Sequence, residues 1–304
     1  MKSSADNTSD REIVITRVVH APRELVWQAW TDPQHVVHWW GPRGFTTTIK
    51  KMDFRIGGVW EHVMHGPDGT NYPNKSTFKE IVPLERITYS HGGGREGGPG
   101  ASFTATWTFE VVEGSKTRLT GRMVFPSAEA RDFVAKEFGA VEGGRQTLER
   151  LSEFLPKMPL IIERTFNAPV GLVWRAITDP AQMRRWYFAQ LESFVSVVGF
   201  QTQFNVHHNG KDFLHLWKVS EVVSGRKITY SWRYGGFPGE SFVTFELAAA
   251  GDKTRLQLIH TGLDSFLPDT HPDLAVGNFF AGWTSLTEDL RAFLEGNTES
   301  GIGR

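Results

Sequence analysis

Apolar and polar residues alternate along several stretches of the chain, most clearly in residues 103–111. Phe, Ala, Trp, Phe and Val occupy every second position from Phe103 to Val111, with Thr or Glu between them. Side chains of a strand point alternately to its two faces, so this period of two predicts a strand with one buried face. Residues 243–247 repeat the pattern with Val, Phe and Leu. The chain is therefore expected to be rich in antiparallel sheet.

Helical patterns frame these strands. Ala-Pro pairs at residues 21–22 and 168–169 predict short helices, because proline suits the first turn of a helix. A Thr-Asp-Pro sequence follows each, where an Asp cap with proline next predicts a second short helix. Leu and Phe recur at helical spacing in residues 148–155 and 286–294, which predicts a long helix in each.

The elements recur because the chain is a tandem duplication. Later matches are separated by 141 positions (Glu80 and Glu221) and then 137 (Lys116 and Lys253), which indicates short deletions in the loops of copy two. A repeat of this length indicates that each copy forms one structural unit and that both units share one fold. The residues repeated at a separation of 147 are Arg17, Ala21, Pro22, Val26, Trp27, Ala29, Thr31, Asp32, Pro33 and Trp39, matched by Arg164, Ala168, Pro169, Val173, Trp174, Ala176, Thr178, Asp179, Pro180 and Trp186.

Composition narrows the class of protein. With 304 residues, 39% of them apolar, the chain has enough material for two cores. A net charge of −1 without blocks of like charge gives no sign of a nucleic-acid surface. The sequence contains no cysteine, which excludes disulfides and thiolate sites, and no apolar run long enough to span a membrane. The polar first residues lack a signal-peptide pattern, and we expect a cytoplasmic protein.

Several local motifs carry a family resemblance. Ala-Pro-x-x-x-Val-Trp-x-Ala-x-Thr-Asp-Pro, with a Trp downstream, occurs twice. With the motifs given below, the chain resembles the bacterial branch of the SRPBCC superfamily that is named after activators of a heat-shock-protein ATPase. The resemblance covers about residues 12–155 and 160–295. The further motifs are Gly57-Gly58-Val59-Trp60, Met64-His65-Gly66-Pro67-Asp68-Gly69, Tyr72-Pro73-Asn74, His215-Leu216-Trp217-Lys218-Val219, His260-Thr261-Gly262-Leu263-Asp264 and Gly282-Trp283.

The resemblance implies a START-like, helix-grip fold in each copy. We therefore predict an α+β protein of two tandem helix-grip domains. Each has a bent antiparallel sheet of six to seven strands wrapped around a long C-terminal helix, with two short helices after the first strand. The predicted boundaries are a disordered tail at 1–11, domain 1 at 12–156, domain 2 at 157–296 and a C-terminal tail at 297–304. The superfamily includes lipid carriers, hormone receptors, cyclases, resistance proteins and co-chaperones, so the fold does not select a function.

Histidines are the candidates for chemistry near neutral pH. His62 shares a strand face with Trp60 and Met64, whereas His65, three residues on, points to the other face. Neighbouring His207 and His208 diverge likewise, so no metal site is predicted. The glycine-rich residues 92–100 lack the Lys-Ser/Thr and the following helix of a nucleotide loop, and we interpret them as a flexible hairpin.

Function is expected where the copies differ. His215 corresponds to Asn74 and His260 to Met123, so two histidines are expected to face the cavity of copy two. Three roles are open for them: hydrogen bonding within the wall, orientation of a ligand, and general acid–base catalysis. The pairs Ser76/Trp217 and His91/Trp232 also differ, and we expect all four pairs to face the hollow.

One long helix cannot fully cover a strongly bent sheet, so sheet-facing aromatics are expected to line a cavity. The leading hypothesis is non-catalytic binding of a small hydrophobic or aromatic ligand, without cofactor, by a monomer or homodimer. The alternatives are a cyclase-, dehydratase- or hydrolase-like enzyme using His215 or His260, and a co-chaperone-like module with a chaperone partner. The candidate ligand-binding residues are Trp60, His62, Met64, Tyr89, Trp107 and Met123 in copy one, and His215, Trp217, Tyr230, Trp232, Phe245, His260 and Trp283 in copy two.

Overall fold

The computed structural model describes residues 7–113, 115–208 and 210–299. The chain divides into two compact units between Leu155 and Pro156, called domain 1 and domain 2 below. Of the predicted N-terminal tail, residues 1–6 lie outside the described part, and residues 7–11 contain a turn closed by the Arg11 amide on the Thr8 carbonyl (3.0 Å). The last helix continues to Glu299, three residues into the predicted C-terminal tail, and residues 300–304 lie outside the described part.

Domain 1 is a seven-stranded antiparallel sheet in the order β1-β7-β6-β5-β4-β3-β2, with the last helix packed against it. Two short helices follow the first strand, as predicted. Its elements are β1 (Glu12–Val19), α1 (Arg23–Thr31), α2 (Pro33–Trp39), β2 (Thr46–Met52), β3 (Val59–His65), β4 (Asn71–Val82), β5 (Arg86–Gly94), β6 (Gly100–Val112), β7 (Lys116–Val124), α3 (Ala128–Glu137) and α4 (Ala140–Phe154).

Domain 2 repeats this arrangement with six strands in the order β8-β13-β12-β11-β10-β9. The segment from residue 187 to 200 contains no strand, so β2 has no counterpart. The prediction of an α+β fold with two tandem sheets of six to seven strands is confirmed. The elements are β8 (Leu160–Phe166), α5 (Val170–Thr178), α6 (Pro180–Trp186), β9 (Gln201–His208), β10 (Lys211–Val223), β11 (Lys227–Tyr234), β12 (Ser241–Ala250), β13 (Lys253–Thr261) and α7 (Val276–Glu299).

Several of the repeated residues stabilise the pair of short helices in each domain. Asp32 accepts a hydrogen bond from the second residue of α2, and Asp179 caps α6 in the same way, each followed by proline at the first helical position. The indole of Trp39 donates to the Ala29 carbonyl (3.0 Å), and the indole of Trp186 makes the equivalent bond in domain 2 (2.9 Å). These side chains satisfy backbone groups within the helix pair, so they explain the duplicated motif without any role in binding.

Equivalent ion pairs fix the register of the last helices. Arg17 on β1 lies 3.6 Å from Glu149 on α4, and Arg164 on β8 lies 3.1 Å from Glu288 on α7. The helices therefore correspond at a separation of 139 positions. The same separation brings Leu151 and Phe154 of α4 onto Leu290 and Phe293 of α7. It also pairs Gly143 with Gly282, Gly144 with Trp283 and Thr147 with Leu286.

Within the described residues, no helix is long and apolar enough to cross a membrane. The cores lie between the inner face of each sheet and its helices. In domain 1, Trp30, Trp39 and Trp60 are completely buried there. The corresponding space in domain 2 holds Tyr230 and Phe245. In each domain the core is incomplete towards one end of the last helix, which leaves a cavity.

Candidate functional sites: a cavity in each domain

Domain 1 encloses a cavity of about 290 Å³ between the sheet and helices α3 and α4. Its floor is formed by β1 and β3 to β7, and its roof by the first half of α4. We call it cavity 1. The residues that define it are Ile15, Trp40, Phe45, His62, Met64, Tyr72, Asn74, Tyr89, His91, Ala101, Phe103, Trp107, Met123, Val134, Phe138, Gly143, Gly144 and Thr147, among others.

The structure brings five of the six candidates of domain 1 to this wall: His62, Met64, Tyr89, Trp107 and Met123. Trp60 does not line the cavity. Its ring is completely buried and stacks against the ring of His62, with centroids 4.4 Å apart. Trp60 therefore supports the wall from behind.

His62 is a neutral side chain with a defined tautomer. The Trp40 indole lies 3.2 Å from Nε2 of His62 and can only donate, so Nε2 accepts and the proton of the neutral ring is on Nδ1. Burial, with a smaller contribution from the nearby ring of His91, lowers the pKa of His62 to about 3. No partner of Nδ1 is present among the described residues.

His91 contributes a second neutral imidazole. Its Nδ1 lies 3.0 Å from Oγ of Ser76, and burial lowers its pKa to about 4. Ser76 is 1% exposed, and Nδ1 is the one acceptor within reach of its hydroxyl in the described part of domain 1. Because a buried hydroxyl without an acceptor is costly, we assign Ser76 as the donor, which leaves the proton of His91 on Nε2.

Domain 2 has a cavity of about 400 Å³ in the corresponding place, between the sheet and the start of α7. We call it cavity 2. Aromatic side chains dominate its wall, and its polar groups are fewer than its apolar ones. The residues that define it are Phe188, Val206, His208, Phe213, His215, Trp232, Tyr234, Asp273, Leu274, Asn278, Phe279, Ala281, Gly282, Trp283 and Leu286.

Three of the seven candidates of domain 2 line cavity 2: His215, Trp232 and Trp283. The other four, Trp217, Tyr230, Phe245 and His260, are buried behind the wall. The hydroxyl of Tyr230 lies 2.8 Å from that of Tyr187, and burial raises the pKa of both phenols. Of the four pairs of differing residues, Asn74, His91, Met123, His215 and Trp232 reach a cavity, whereas Ser76, Trp217 and His260 do not.

His260 is part of a buried chain of hydrogen bonds. The indole of Trp283 donates to its Nδ1 (2.9 Å), so its Nε2 carries the proton and donates to Oγ of Ser241 (2.8 Å). Ser241 in turn donates to the carbonyl of Trp232 (3.2 Å). Burial lowers the pKa of His260 to about 3. With both ring nitrogens engaged, His260 joins α7 to β12 and β13.

His215 differs from His260, because only one of its two ring nitrogens is hydrogen-bonded to a described residue. Its Nδ1 donates to the carbonyl of Phe213 (2.9 Å), and its ring stacks on Phe204 with centroids 4.9 Å apart. Burial lowers its pKa to about 4, against the smaller opposing effect of the carbonyl. The ring is therefore neutral at pH 7.

Some wall residues were missed by the sequence analysis. Trp40 was overlooked because it directly follows the repeated Trp39, although its counterpart Tyr187 is also aromatic. The pair Gly143 and Gly144 carried a usable signal, because adjacent glycines in a helix interior are costly and indicate a close approach or an open space. Phe188, Phe213 and Tyr234 in cavity 2 were missed as well.

Metal chemistry finds no support in the part of the chain that the structure describes, since no three His, Asp or Glu side chains there are grouped to hold an ion. The candidate sites are two mostly apolar cavities in which His62, His91 and His215 are neutral at pH 7.

Comparison with known proteins places the chain. No curated protein matches it. A protein of Arthrobacter aurescens, solved by NMR, is 29% identical over 49% of this chain and 88% of its own, with a TM-score of 0.45. Protein Ms6760 of Mycobacterium smegmatis is 26% identical over 50% of this chain and 94% of its own, also with a TM-score of 0.45. DynU16, a putative protein of the dynemicin biosynthetic locus, is 17% identical over 93% of this chain and 98% of its own, with a TM-score of 0.37.

The sequence resemblance is confirmed at the level of the family. Residues 20–156 and residues 167–295 each match one family model, which together accounts for most of both domains. The chain thus belongs, as two tandem copies, to the family described as "Activator of Hsp90 ATPase homolog 1-like protein".

Proposed function

We propose that the protein binds small, neutral hydrophobic or aromatic molecules, one in the cavity of each domain, without converting them. The observation that carries this proposal is the presence of two separate, mostly apolar cavities of about 290 and 400 Å³ at the same place in the fold. Ligand sites typically have volumes of roughly 300–1,000 Å³, with apolar walls and a few polar groups.

The electrostatics favour a neutral ligand. His62, His91 and His215 all have pKa values well below 7 because they are buried. None of them supplies a positive charge to balance an anionic ligand at neutral pH. Transfer of an unpaired charge into such a site is costly, whereas an aromatic molecule gains by burial of its surface.

The family points in the same direction, since proteins of this fold generally bind hydrophobic ligands. The duplication adds a separate argument. Both cavities lie between the sheet and the last helix although their walls are built from different residues. A cavity that exists in both copies with different lining is expected if each copy holds its own ligand.

Tryptophan fluorescence tests the proposal, because Trp40 and Trp107 line cavity 1 and Trp232 and Trp283 line cavity 2. The full chain is titrated with a panel of neutral naphthalenes, aromatic polyketides and fatty alcohols. We expect a saturable change with at least one class. No saturable change with any member would contradict the proposal.

Two filling variants assign the response to a cavity. Ala101→Phe adds a ring to the wall of cavity 1, and its control Ser102→Phe adds the same ring on the opposite face of β6. Gly282→Leu adds a side chain to the wall of cavity 2, at a position where a Cβ meets no atom within 4 Å. Gly296→Leu is the control in the same helix, with equally open space. Each filling variant is expected to lose one of the two binding events, and each control to keep both.

For the enzymatic alternative, the structure leaves one of the two candidate histidines in contact with a cavity. Both nitrogens of His260 are hydrogen-bonded and its side chain is fully buried, whereas His215 lines a cavity. Turnover of a bound ligand that His215→Asn abolishes would favour an enzyme. The co-chaperone alternative rests on the family description, and a pull-down with the cell's heat-shock ATPase that recovers nothing would remove it.

A further inference from the structure

Cavity 2 contains a polar atom that can only accept a hydrogen bond. Nδ1 of His215 lies 2.9 Å from the carbonyl oxygen of Phe213. A carbonyl cannot donate, so Nδ1 carries the proton of the neutral ring, and Nε2 at the far end of the ring keeps its lone pair. This assignment follows from the chemistry of the partner and needs no choice between equivalent tautomers.

Nε2 of His215 has no hydrogen-bond partner among the described residues. The side chain is 4% exposed and lines cavity 2. Nε2 is not one of the fully enclosed unpaired atoms of the protein, so it opens to the cavity, where its lone pair can take a hydrogen bond from a bound molecule. A ligand hydroxyl in the cavity would supply the missing donor.

Besides His215, the polar side chains of the wall are His208, Trp232, Tyr234, Asp273, Asn278 and Trp283. His208, Asp273 and Asn278 are exposed, and the indole of Trp283 is bonded to His260. The indole N–H of Trp232 is enclosed, has no partner in the described part of the chain and can only donate. Asp273 is paired with Lys211, and the amide of Asn278 donates to the carbonyls of Pro272 and Asp273. The hydroxyl of Tyr234 can both donate and accept, so it does not discriminate between ligands. Among the buried side chains that line cavity 2, His215 is the one that presents an accept-only nitrogen.

We propose that cavity 2 binds a neutral aromatic alcohol or phenol, whose hydroxyl donates to Nε2 of His215. The proposal rests on the proposed function and specifies the ligand class for one of its two sites. An aromatic carboxylate would present only acceptors to Nε2 and would bring a charge that no lysine or arginine of the described wall balances. An aromatic ether or hydrocarbon would fill the space but leave Nε2 unpaired.

The corresponding residue of domain 1 indicates the substitution that tests the role of His215. At the position of His215 it has Asn74, whose amide donates to the carbonyl of Tyr72 (2.6 Å), the counterpart of Phe213. The asparagine thus makes the same bond to the backbone without a second ring nitrogen. His215→Asn is therefore expected to keep the bond to Phe213 and to delete only the acceptor in the cavity.

The experiment compares 1-naphthol with 1-methoxynaphthalene, which lacks the donor, in the full chain with Ala101→Phe present to fill cavity 1. Without that substitution, we expect any binding of the pair in cavity 1 to mask the difference. We expect naphthol to bind at least tenfold more tightly, and His215→Asn to remove this preference, because a site built to bond a hydroxyl discriminates against analogues without one. The control His207→Asn replaces a histidine of strand β9 that does not line cavity 2, and it is expected to keep the preference.

The outcomes separate this inference from the proposed function. Equal affinity for the two compounds would overturn the inference while leaving ligand binding intact. Failure of both to bind would instead count against the proposed function in domain 2. If His215→Asn does not fold, the ¹⁵N resonance of His215 Nε2 in the unsubstituted protein serves as the readout instead. A shift on addition of naphthol but not of the ether is expected, and no shift at saturation would overturn the inference.

Discussion

Cavity 1 and cavity 2 occupy the same place in the fold but are built differently. The helix over cavity 1 has Gly144 where that over cavity 2 has Trp283, and the strand below has Met123 where domain 2 has His260. The two differences belong together. An indole buried at position 283 needs an acceptor for its N–H, and Nδ1 of His260 provides one at 2.9 Å. A thioether, a weak acceptor, suffices where the helix has glycine.

The cavities also differ in the hydrogen bonds they offer. In cavity 1 the ring of His91 is assigned a proton on Nε2, whereas in cavity 2 His215 presents a lone pair. Duplication has therefore kept the scaffold residues and changed the wall. We therefore expect the two cavities to differ in which aromatic ligands each binds most tightly.

Among the substitutions, the largest effect on stability is expected from opening cavity 2. Trp283→Ala removes a buried indole and its bond to His260. We expect the free energy of unfolding of domain 2 to fall by about 3–5 kcal/mol, with domain 1 unchanged. Urea unfolding followed by hydrogen exchange of peptides from each domain measures this. The exposed neighbour Ser285→Ala is the control, and a loss no larger than the control's would contradict a structural role of Trp283.

Acid should destabilise both domains by a comparable amount. The buried histidines have pKa values of about 3 or 4, below the value of 6.5 in the unfolded chain. The unfolded state therefore binds more protons between pH 6.5 and 4, so stability falls as the pH falls through this window. A fully buried ring such as His260 contributes about 3 kcal/mol of loss by pH 4. Urea unfolding at pH 7, 5.5 and 4 checks this, and stability independent of pH would contradict it.

His260→Met gives domain 2 the residue of domain 1. It leaves the indole N–H of Trp283 without its acceptor, and we expect a loss of about 1–3 kcal/mol at pH 7. Because one buried histidine is gone, the acid sensitivity of domain 2 should also decrease. Adding Trp283→Phe removes the orphaned N–H, so the double variant should lose less than the sum of the single ones. Strict additivity would show that the two side chains are not coupled.

The smallest effect is expected from Thr147→Leu, which gives cavity 1 the residue that domain 2 has at position 286. The hydroxyl of Thr147 bonds only to the Gly143 carbonyl one turn earlier in α4, and that carbonyl lies within the helix. We expect the stability of domain 1 to change by less than about 1 kcal/mol, because lost and gained contacts offset each other. Affinity for bulky ligands in cavity 1 should fall while that of cavity 2 stays constant, and calorimetric titration measures both.

The scaffold could be predicted from the sequence because its signals are local. Asp32 and Asp179 cap helices through backbone groups two residues away, and the alternation from Phe103 to Val111 is visible within one strand. The repeat gave further support, because each predicted helix or strand could be checked against its counterpart in the other copy. Fold class, strand number and the order of elements were therefore within reach.

The walls of the cavities were predicted less well, because they depend on contacts between distant segments. That His260 faces inward followed from its strand, but its bond to Trp283 on the last helix, which removes it from the cavity, did not. The strand pattern likewise placed Trp217 and Tyr230 on the inner face without showing that Tyr187 covers them. The direction of a side chain follows from the alternation within its own strand. Its access to a cavity depends on which distant residues pack over it.

A crystal structure of the full chain with 4-bromo-1-naphthol would show whether the two cavities hold an aromatic ligand, because anomalous scattering locates each bromine without ambiguity. We expect a bromine peak in each cavity at saturating concentration, with the hydroxyl in cavity 2 within hydrogen-bond distance of Nε2 of His215. Bromine peaks confined to the protein surface, with both cavities empty, would contradict it.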